Sequence, residues 1–468
     1  AKPFADTKCA RRTAAVLSVL YTVFYMIVDY PHYIETLTNR FFQFIVLSSV
    51  FLGFFLCFYK LLLLLFSYSA DKDTLRELLY RKTEAPAIRR LPLWCFLGCL
   101  LCWLPYFLYQ YPGIMTPDSL NQLEQVLHVA DYSNHHPFVH TMIFKLFYHI
   151  GFFFTSNMVI AVSFYTFFQM CFLAYSISYF IKTLEQLRVR QSILIVLTLF
   201  YALIPYHAVF SVTLWKDIPF AAVVLLLGCS MLRLSGQFHR AALAMFVFSG
   251  TMMCLLRSNG WYGFLFCIPF LLFHYRKQAK IMFPSIACIF LFAVIVRYPL
   301  FHAMHVMPPD FVESLSIPTQ QIAAVLCHDR EISEKERDLI DQVIDTTYIR
   351  ELYNPGFADN MKELVRAGSP EYLSAHKSEF FRLWLSLGFK YPADYLKAYI
   401  DQTYGYWYPD SFYPVAEGEG ISGTRLGVSH TPLIRGPLVV KGKEISLKLG
   451  GMLPVYGLLW SMGIAFWF

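Results

Sequence analysis

Residues 111–140 read YPGIMTPDSLNQLEQVLHVADYSNHHPFVH and lie between strongly apolar segments. The stretch has no lysine or arginine, and its acids and histidines are Asp118, Glu124, Asp131, His128, His135, His136 and His140. Lipid cannot satisfy a polar, acidic segment, so a loop of this kind beside membrane helices must face water or line a cavity. We take Asp118 as the candidate catalytic carboxylate of a membrane enzyme, and the rest of the chain bears on that hypothesis.

The composition outside this stretch is that of a membrane protein. The chain has 468 residues, of which 57% are hydrophobic and 15% are charged, and its mean hydropathy is +0.46. Soluble domains carry about 25% charged residues. We therefore predict an all-α polytopic membrane protein. The net charge of +7 comes from cations beside apolar runs, which is a topology signal, so nucleic acid is not an expected partner and membrane lipids are.

Apolar runs of about 20 residues can cross the hydrocarbon core. We predict spans at 13–30, 41–66, 91–110, 157–181, 192–210, 219–234, 241–257, 261–274, 281–299 and 451–468. The run 137–154 is ambiguous. If it is re-entrant or juxtamembrane, the inner segments carry far more Lys and Arg than the outer ones, as expected for a cytoplasmic face. That topology places the Asp118 loop, the turns at 215–217 and 257–260, and the region 300–450 on one outer face.

Four parts of the chain follow from this pattern. Residues 1–90 form a pair of N-terminal spans with a cytoplasmic loop, 91–299 a transmembrane core, and 300–450 a mainly helical extracytoplasmic domain. Residues 451–468 begin a C-terminal span, and we expect the chain to be truncated because it lacks an initiator Met and stops in an apolar run. In the polar domain, Ser333 and Glu336 predict a capping box. Ser369-Pro370-Glu371 predicts a helix start, with closure near Gly388.

Two groups in the quoted stretch have competing interpretations. Asp118 and Ser119 precede a helix-like run, LNQLEQVLHV, so either residue could simply be a helix N-cap. His135 and His136 precede Pro137. They could contact a phosphate or substrate, have a structural role, or bind a metal. Zinc has weak support, since no second ligand pair has the usual spacing.

Charged residues also interrupt later apolar runs. Lys216-Asp217 lies within SVTLWKDIPFAAVV, where the pair could neutralise itself or snorkel. Alternatively, Asp217 joins Asp118 in one outward cavity while Lys216 meets an anionic group. Arg257, in CLLRSNGWYG, is costly unless it faces a cavity, and phosphate is a natural partner for it. We add Asn259 of the same turn as a candidate contact. Arg297, near the outer end of its span, could also bind a phosphate, or it could only mark the membrane boundary.

At these residues the pattern resembles the GT-C class of integral-membrane glycosyltransferases. In that class an acidic residue in the first outward loop acts on the acceptor, a juxtamembrane His/Lys-Pro segment follows, and a second acidic residue lies in the next outward loop. The matching positions are Asp118, His135-His136-Pro137, and Asp217 beside Lys216. The chain looks like a bacterial branch of uncharacterised multi-spanning proteins in this class. Where many relatives have two prolines, this chain has His-His-Pro.

The resemblance implies a GT-C-like bundle of about ten or more transmembrane helices with a re-entrant or juxtamembrane helix in the first catalytic outer loop. It implies a polyprenyl-phosphate or -diphosphate sugar donor, a glycan, lipid or protein acceptor, and an active site on the outer face of the bacterial cytoplasmic membrane. Asp118 would be the general base of an inverting transfer. Asp217 would orient the acceptor or, with Asp118, hold a divalent cation such as Mg or Mn. His135, His136, Lys216, Arg257, Asn259 and Arg297 would contact donor or phosphate.

Other functions are compatible with a multi-spanning chain. A transporter or flippase of a lipid-linked saccharide predicts ionisable residues near the midplane and on both faces, with paired broken helices. A polysaccharide polymerase or ligase, or a non-catalytic scaffold, is a third alternative. A scaffold has no need for Asp118 and Asp217 in a common cavity. The chain contains no Walker A, GxSxG or HExxH motif, so ATP-driven transport and zinc-protease chemistry lack support.

Overall fold

A computed structural model describes residues 8–70, 90–236, 238–408, 419–421 and 426–452. This part of the chain is all-helical, with isolated β-bridges and no strand. It belongs to two compact units. The first comprises the described residues of Ala1–Leu75, Asp310–Tyr413 and Gly450–Phe468, and the second those of Arg76–Pro309 and Pro414–Leu449.

The second unit contains most of the apolar helices. They are α3 (Leu91–Tyr109), α4 (Pro117–Val126), α5 (Phe138–Thr155), α6 (Met158–Gln186), α7 (Gln191–Leu203), α8 (Pro205–Val212), α9 (Asp217–Gly236), α10 (Arg240–Leu256), α11 (Ser258–His274), α12 (Ala279–Ile295) and the short α13 (Phe301–Ala303). A 3-10 turn, Arg276–Gln278, precedes α12, and a π turn, Val296–Leu300, follows it.

The first unit begins with α1 (Lys8–Ile34) and α2 (Arg40–Ala70). After a 3-10 turn at Phe311–Leu315 it continues with α14 (Ser316–Cys327), α15 (Glu334–Val343), α16 (Ile349–Leu352), α17 (Asp359–Ala367), α18 (Pro370–Ala375), α19 (Lys377–Lys390), α20 (Pro392–Thr403) and a 3-10 turn at Tyr404–Tyr406. The last helix among the described residues, α21 (Pro437–Met452), lies mostly within the second unit.

Within the described residues, seven helical segments are long and apolar enough to cross a membrane: Lys8–Ile34, Arg40–Ser67, Leu91–Tyr109, Phe138–Thr155, Met158–Gln186, Asp217–Gly236 and Arg276–Ala303. The bent pair α7 and α8 would make an eighth. The predicted all-α, multi-pass architecture is therefore confirmed. The larger count of ten or more spans and the re-entrant assignment of 137–154 stay predictions, and the predicted span 451–468 falls outside the described residues from 453 onward.

The predicted span 192–210 is broken in the structure. Helices α7 and α8 meet at an angle of 54°, with Ile204 in an extended conformation and Pro205 as the first residue of α8. Proline has no N–H to continue the ladder of α7, and it disfavours a helical conformation for the residue before it. The break directs the chain after α8 toward the start of α4.

Short extended segments hold the start of α4 in place. Ile114 and Thr213 form a parallel bridge, in which the Ile114 N–H donates to Val212 O at 2.9 Å. Gly113 adopts φ +146°, and a Cβ there would lie 2.3 Å from Leu214 and 2.7 Å from Thr166. Only glycine fits this position. The residues around 114 and 214 are thereby fixed side by side although they are far apart in sequence.

The polar part of the first unit has its own apolar core, which includes Phe380, Leu383 and Leu387 of α19. The predicted capping box at Ser333 is present: its hydroxyl accepts from the Glu336 N–H, while the Glu336 carboxylate accepts from the Ser333 N–H. Ser369 caps α18, also as predicted. The prediction that this helix ends near Gly388 is wrong.

The helix that starts after Ser369 ends at Ala375, and Gly388 lies inside the next helix, α19. A Cβ at Gly388 would lie 3.0 Å from the ring of Tyr395. This glycine therefore serves close helix packing, and α19 ends just before Pro392 instead.

Candidate functional site

The candidate catalytic carboxylate lies in the first turn of α4. Thr116 occupies the N-cap position of this helix, so Asp118 is not the cap. Ser119 is not the cap either, because its hydroxyl donates to Leu214 O at 2.7 Å. The indole N–H of Trp215 donates to Thr116 Oγ1 at 2.9 Å. These two bonds fasten the start of α4 to the segment that leads into α9.

Asp118 forms a three-residue cluster with Lys216 and His136. The Lys216 ammonium donates to Asp118 Oδ2 at 2.7 Å and to His136 Nδ1 at 3.1 Å. His136 Nδ1 lies 3.7 Å from the same carboxylate oxygen. The side chains of Lys216 and His136 are mostly buried, whereas that of Asp118 is 55% exposed. One face of the carboxylate is therefore held by cationic groups, and the other is open to a ligand.

The surroundings of Asp118 act on its pKa in opposite directions. Partial burial raises the pKa, but the hydrogen bond and charge of Lys216, together with the charges of His136 and His135, lower it more. The net effect is a pKa below the ordinary carboxyl value. Asp118 is therefore ionised at neutral pH, and it remains so while Lys216 stays beside it.

A second ion pair joins the start of α9 to the break between α10 and α11. The Arg257 guanidinium contacts the Asp217 carboxylate, and both side chains are about one-third exposed. Arg257 is in an extended conformation between the two helices. The neighbouring Gly260 lies so close to Met253 that a Cβ would be 2.2 Å from its carbonyl oxygen. Tight helix contact thus holds Arg257 against Asp217.

Lys216 and Asp217 do not neutralise each other. Lys216 pairs with Asp118, and Asp217 pairs with Arg257. The formal charge of these four residues is therefore zero. An adjoining cavity of about 210 Å³ is lined by Asp118, Gln122, Leu214, Trp215, Lys216 and Asp217. Both predicted carboxylates therefore line one cavity. It is smaller than the roughly 300–1,000 Å³ of pockets for drug-sized ligands, and it suits one polar headgroup.

The other predicted site residues differ in placement. His135 is exposed, with its ring 4.6 Å from that of His136. Asn259 is exposed in the first turn of α11. Arg297 donates to Cys254 O from Nε at 3.1 Å and from Nη2 at 3.0 Å. It thereby satisfies a carbonyl at the end of α10, which accounts for a half-buried arginine without a phosphate.

Sequence reasoning missed a chain of buried polar side chains behind the cavity. Gln122 Oε1 accepts from His140 Nδ1 at 3.0 Å, and His140 Nε2 lies 2.5 Å from the Tyr165 hydroxyl. Gln169 follows at 3.3 Å and donates to the carbonyls of Ser211 and Thr213. All four side chains are at most 1% exposed. The spacing of Asp118, Gln122 and Gln125, which places them on one helix face, was the available signal.

The described residues do not provide an evident metal site. Among them, no group of three or more His, Cys, Asp or Glu could hold a metal ion. Each of the two predicted metal ligands, Asp118 and Asp217, already has a cationic partner. A divalent cation held between these two carboxylates would compete with Lys216 and Arg257 for them, so the residues present give little support to the cation that the resemblance implied.

Residues 128–419 match a family of unknown function, DUF6020. The matched region includes His136, Lys216, Asp217 and Arg257 and begins ten residues after Asp118. No curated protein matches the chain, and no solved structure matches it. Because the match covers more than half of the chain, the protein belongs to the family of unknown function DUF6020.

Proposed function

We propose that the protein is a membrane glycosyltransferase. It moves a sugar from a polyprenyl-phosphate or -diphosphate donor to an acceptor hydroxyl of a cell-envelope glycan, lipid or protein. The reaction takes place on the outer face of the bacterial cytoplasmic membrane. One observation carries the proposal: the half-exposed Asp118 carboxylate lies in a cavity beside Lys216 and His136, with a second carboxylate, Asp217, in the same wall.

Asp118 is the general base of the proposed reaction. The acceptor oxygen attacks the anomeric carbon, the bond from that carbon to the phosphate oxygen breaks, and its electron pair leaves with the phosphate. The hydroxyl proton goes to Asp118, which must come within hydrogen-bond reach of the acceptor. The exposed side of this carboxylate provides the space for that approach. A single base on one side of the sugar is consistent with inversion.

Lys216 and His136 stabilise the leaving phosphate. Negative charge develops on that oxygen as the bond breaks, and a fixed ammonium beside it lowers the barrier. In the structure the same ammonium is bound to Asp118, which makes the carboxylate a weak base. A phosphate that engages Lys216 weakens this ion pair, so the pKa of Asp118 rises when the donor is present. Donor binding would thus improve the base that the transfer needs.

Asp217 and Arg257 form the second side of the site. Asp217 would accept a hydrogen bond from an acceptor hydroxyl, while Arg257 holds its carboxylate in place. The buried neighbour Gln122 has both ends of its amide bound to other side chains, so it shapes the cavity wall. These roles require no metal ion.

Mass spectrometry of lipids and glycans tests the proposal against transport. Membranes from cells with and without the gene are compared. A sugar that is lost on deletion, while its lipid-linked precursor accumulates on the outer leaflet, supports transfer and identifies the substrate. A precursor trapped on the cytoplasmic leaflet would contradict transfer and indicate a flippase.

A further inference from the structure

A second cationic cluster lies on the outside of α5, and the proposed transfer does not use it. Lys145 projects from this helix, and its ammonium lies 3.0 Å from His128 Nε2 and 2.5 Å from the Tyr132 hydroxyl. The ammonium also lies 5.3 Å from the centre of the Tyr132 ring. No carboxylate in the described part of the chain forms an ion pair with Lys145. The cluster therefore has one positive charge, with a phenol and an imidazole beside it.

The hydrogen bonds of the cluster determine which groups remain available. Lys145 is an obligate donor, so His128 Nε2 and the Tyr132 oxygen must accept from it. The proton of a neutral His128 then lies on Nδ1, and the Tyr132 hydroxyl keeps its own hydrogen to donate. Lys145 has three N–H groups and uses two of them here. One Lys145 N–H and the Tyr132 O–H thus remain side by side, and a phosphate, with its several acceptor oxygens, is a natural ligand for them.

His128 has a left-handed backbone conformation at the end of α4, a position where a side chain is costly. The N–H of Val129 bonds to Glu124 O and that of His128 to Gln125 O, which closes α4 in a Schellman pattern. His128 occupies its left-handed position with φ 57°, where glycine is usual. A histidine is costlier than glycine there, and at this position its ring contacts Lys145.

The exposed surface beside the cluster on α5 is largely apolar, with His149 as its polar member. Leu146 is 57% exposed and Phe153 is 81% exposed, and Ile150 lies between them at helical spacing. A lysine on such a surface is costly in hydrocarbon and favourable at the level of the lipid headgroups. The neighbours of the cluster therefore suit acyl chains, while the cluster itself suits a headgroup.

We infer that Lys145, His128 and Tyr132 bind the phosphate headgroup of an anionic membrane lipid, whose chains lie along the exposed apolar residues of α5. The ammonium supplies the charge, the phenol supplies a directed hydrogen bond, and the imidazole holds the ammonium in place. This inference does not depend on the proposed glycosyl transfer. A lipid seated here would fasten the end of α4, and with it the loop that carries the candidate active site, to the membrane surface.

Two variants alter the cluster with little risk to the fold. Tyr132→Phe deletes only the hydroxyl and keeps the ring that packs against Phe138 at 5.3 Å. His128→Gly removes the imidazole and relieves a left-handed conformation that glycine adopts readily. Lys280→Gln is the matched control, because Lys280 is an exposed lysine elsewhere in the second unit.

The experiment uses the purified full chain in nanodiscs that contain phosphatidic acid or diacylglycerol, which differ only in the phosphate. Native mass spectrometry measures retention of each lipid. We expect selective retention of phosphatidic acid, weakened about tenfold or more by Tyr132→Phe and by His128→Gly, and unchanged by Lys280→Gln. Equal retention by wild type and both cluster variants would overturn the site. Displacement of the lipid by millimolar inorganic phosphate would overturn its assignment to a lipid.

Discussion

Replacement of Lys216 by methionine tests the proposed roles of Lys216 as the phosphate contact and of Asp118 as the general base. Methionine keeps an unbranched side chain of comparable length and removes the ammonium that lies 2.7 Å from Asp118 Oδ2. In the proposal this ammonium holds Asp118 before the donor arrives and stabilises the leaving phosphate afterwards. The substitution therefore affects stability, rate and pH dependence, and the three effects have different sizes.

The loss of stability is small. Two unit charges about 4 Å apart interact by about 4 kcal/mol at an effective dielectric constant of about 20. Since the Asp118 side chain is 55% exposed, solvent screening reduces this to the roughly 0.2–1 kcal/mol measured for exposed pairs. The transition-state effect is larger, because loss of one group that stabilises developing charge costs about 10²–10³-fold in rate. We expect Lys216→Met to fold normally and to transfer about 100-fold more slowly.

The pH dependence has a definite direction. In the wild type, burial raises the pKa of Asp118, but Lys216 together with His136 and His135 lowers it below the ordinary value. Without the ammonium, burial is opposed only by the histidines, so the pKa rises and the acid limb of the transfer rate moves to higher pH. The lowered pKa also makes the contribution of Asp118 to folding stability depend on pH. That contribution is complete above the ordinary carboxyl pKa of 3.8, and it is lost as the pH falls through the pKa of Asp118 in the folded protein.

The assay measures transfer from a synthetic lipid-linked sugar by the reconstituted protein across a pH series, with thermal unfolding measured in parallel. Lys216→Arg is the control because it preserves the charge, and it should retain more activity than the methionine variant. A rate within about threefold of wild type in Lys216→Met would refute the phosphate role. Loss of folding in step with activity would show that Lys216 acts through structure.

Three further substitutions test separate parts of the molecule. Asp217→Asn removes the charge that Arg257 holds and should raise the acceptor KM about tenfold while kcat changes little. Gly113→Ala places a Cβ 2.3 Å from a leucine methyl at φ +146° and should cost about 2–5 kcal/mol, whereas Gly98→Ala, with nothing within 4 Å, should be tolerated. Asp394→Asn weakens the bond from its arginine partner and should lower the unfolding midpoint by roughly 5 °C.

A specific result would contradict each of these three predictions. A lower kcat with unchanged KM in Asp217→Asn would place that residue in the chemical step. Equal stability of the two glycine variants would contradict the close approach at Gly113. The pKa of Asp394 is lowered, chiefly by the Arg330 hydrogen bond, so the stability from this pair should vanish as pH falls below the ordinary value of 3.8. A pH-independent effect would contradict the ion pair.

Local sequence was sufficient for most of the helices. Most of the predicted apolar runs within the described residues are helical, the capping box at Ser333 is present, and the polar stretch at 111–140 contains Asp118 and His136 of the candidate site. The grouping of Asp118, Lys216 and Asp217 was also predictable, because charged residues beside lipid must share polar surroundings.

The partners of those charges were not predictable. Lys216 pairs with Asp118 and not with its neighbour Asp217, because the bridge between Ile114 and Thr213 fixes the register of two distant segments. Spacing along the chain contains no information about such a contact. The role of Arg297 on the Cys254 carbonyl depends in the same way on tertiary packing.

The most direct test of the central claim is transfer by Asp118→Asn in a purified, reconstituted protein. Asp131→Asn is the control, since Asp131 is an exposed acid in the same stretch of sequence. We predict that Asp118→Asn folds and binds donor but transfers about 10²–10⁴-fold more slowly, as expected for loss of a general base. Asp131→Asn should match the wild type. Undiminished transfer by Asp118→Asn would contradict the mechanism and remove this carboxylate from it.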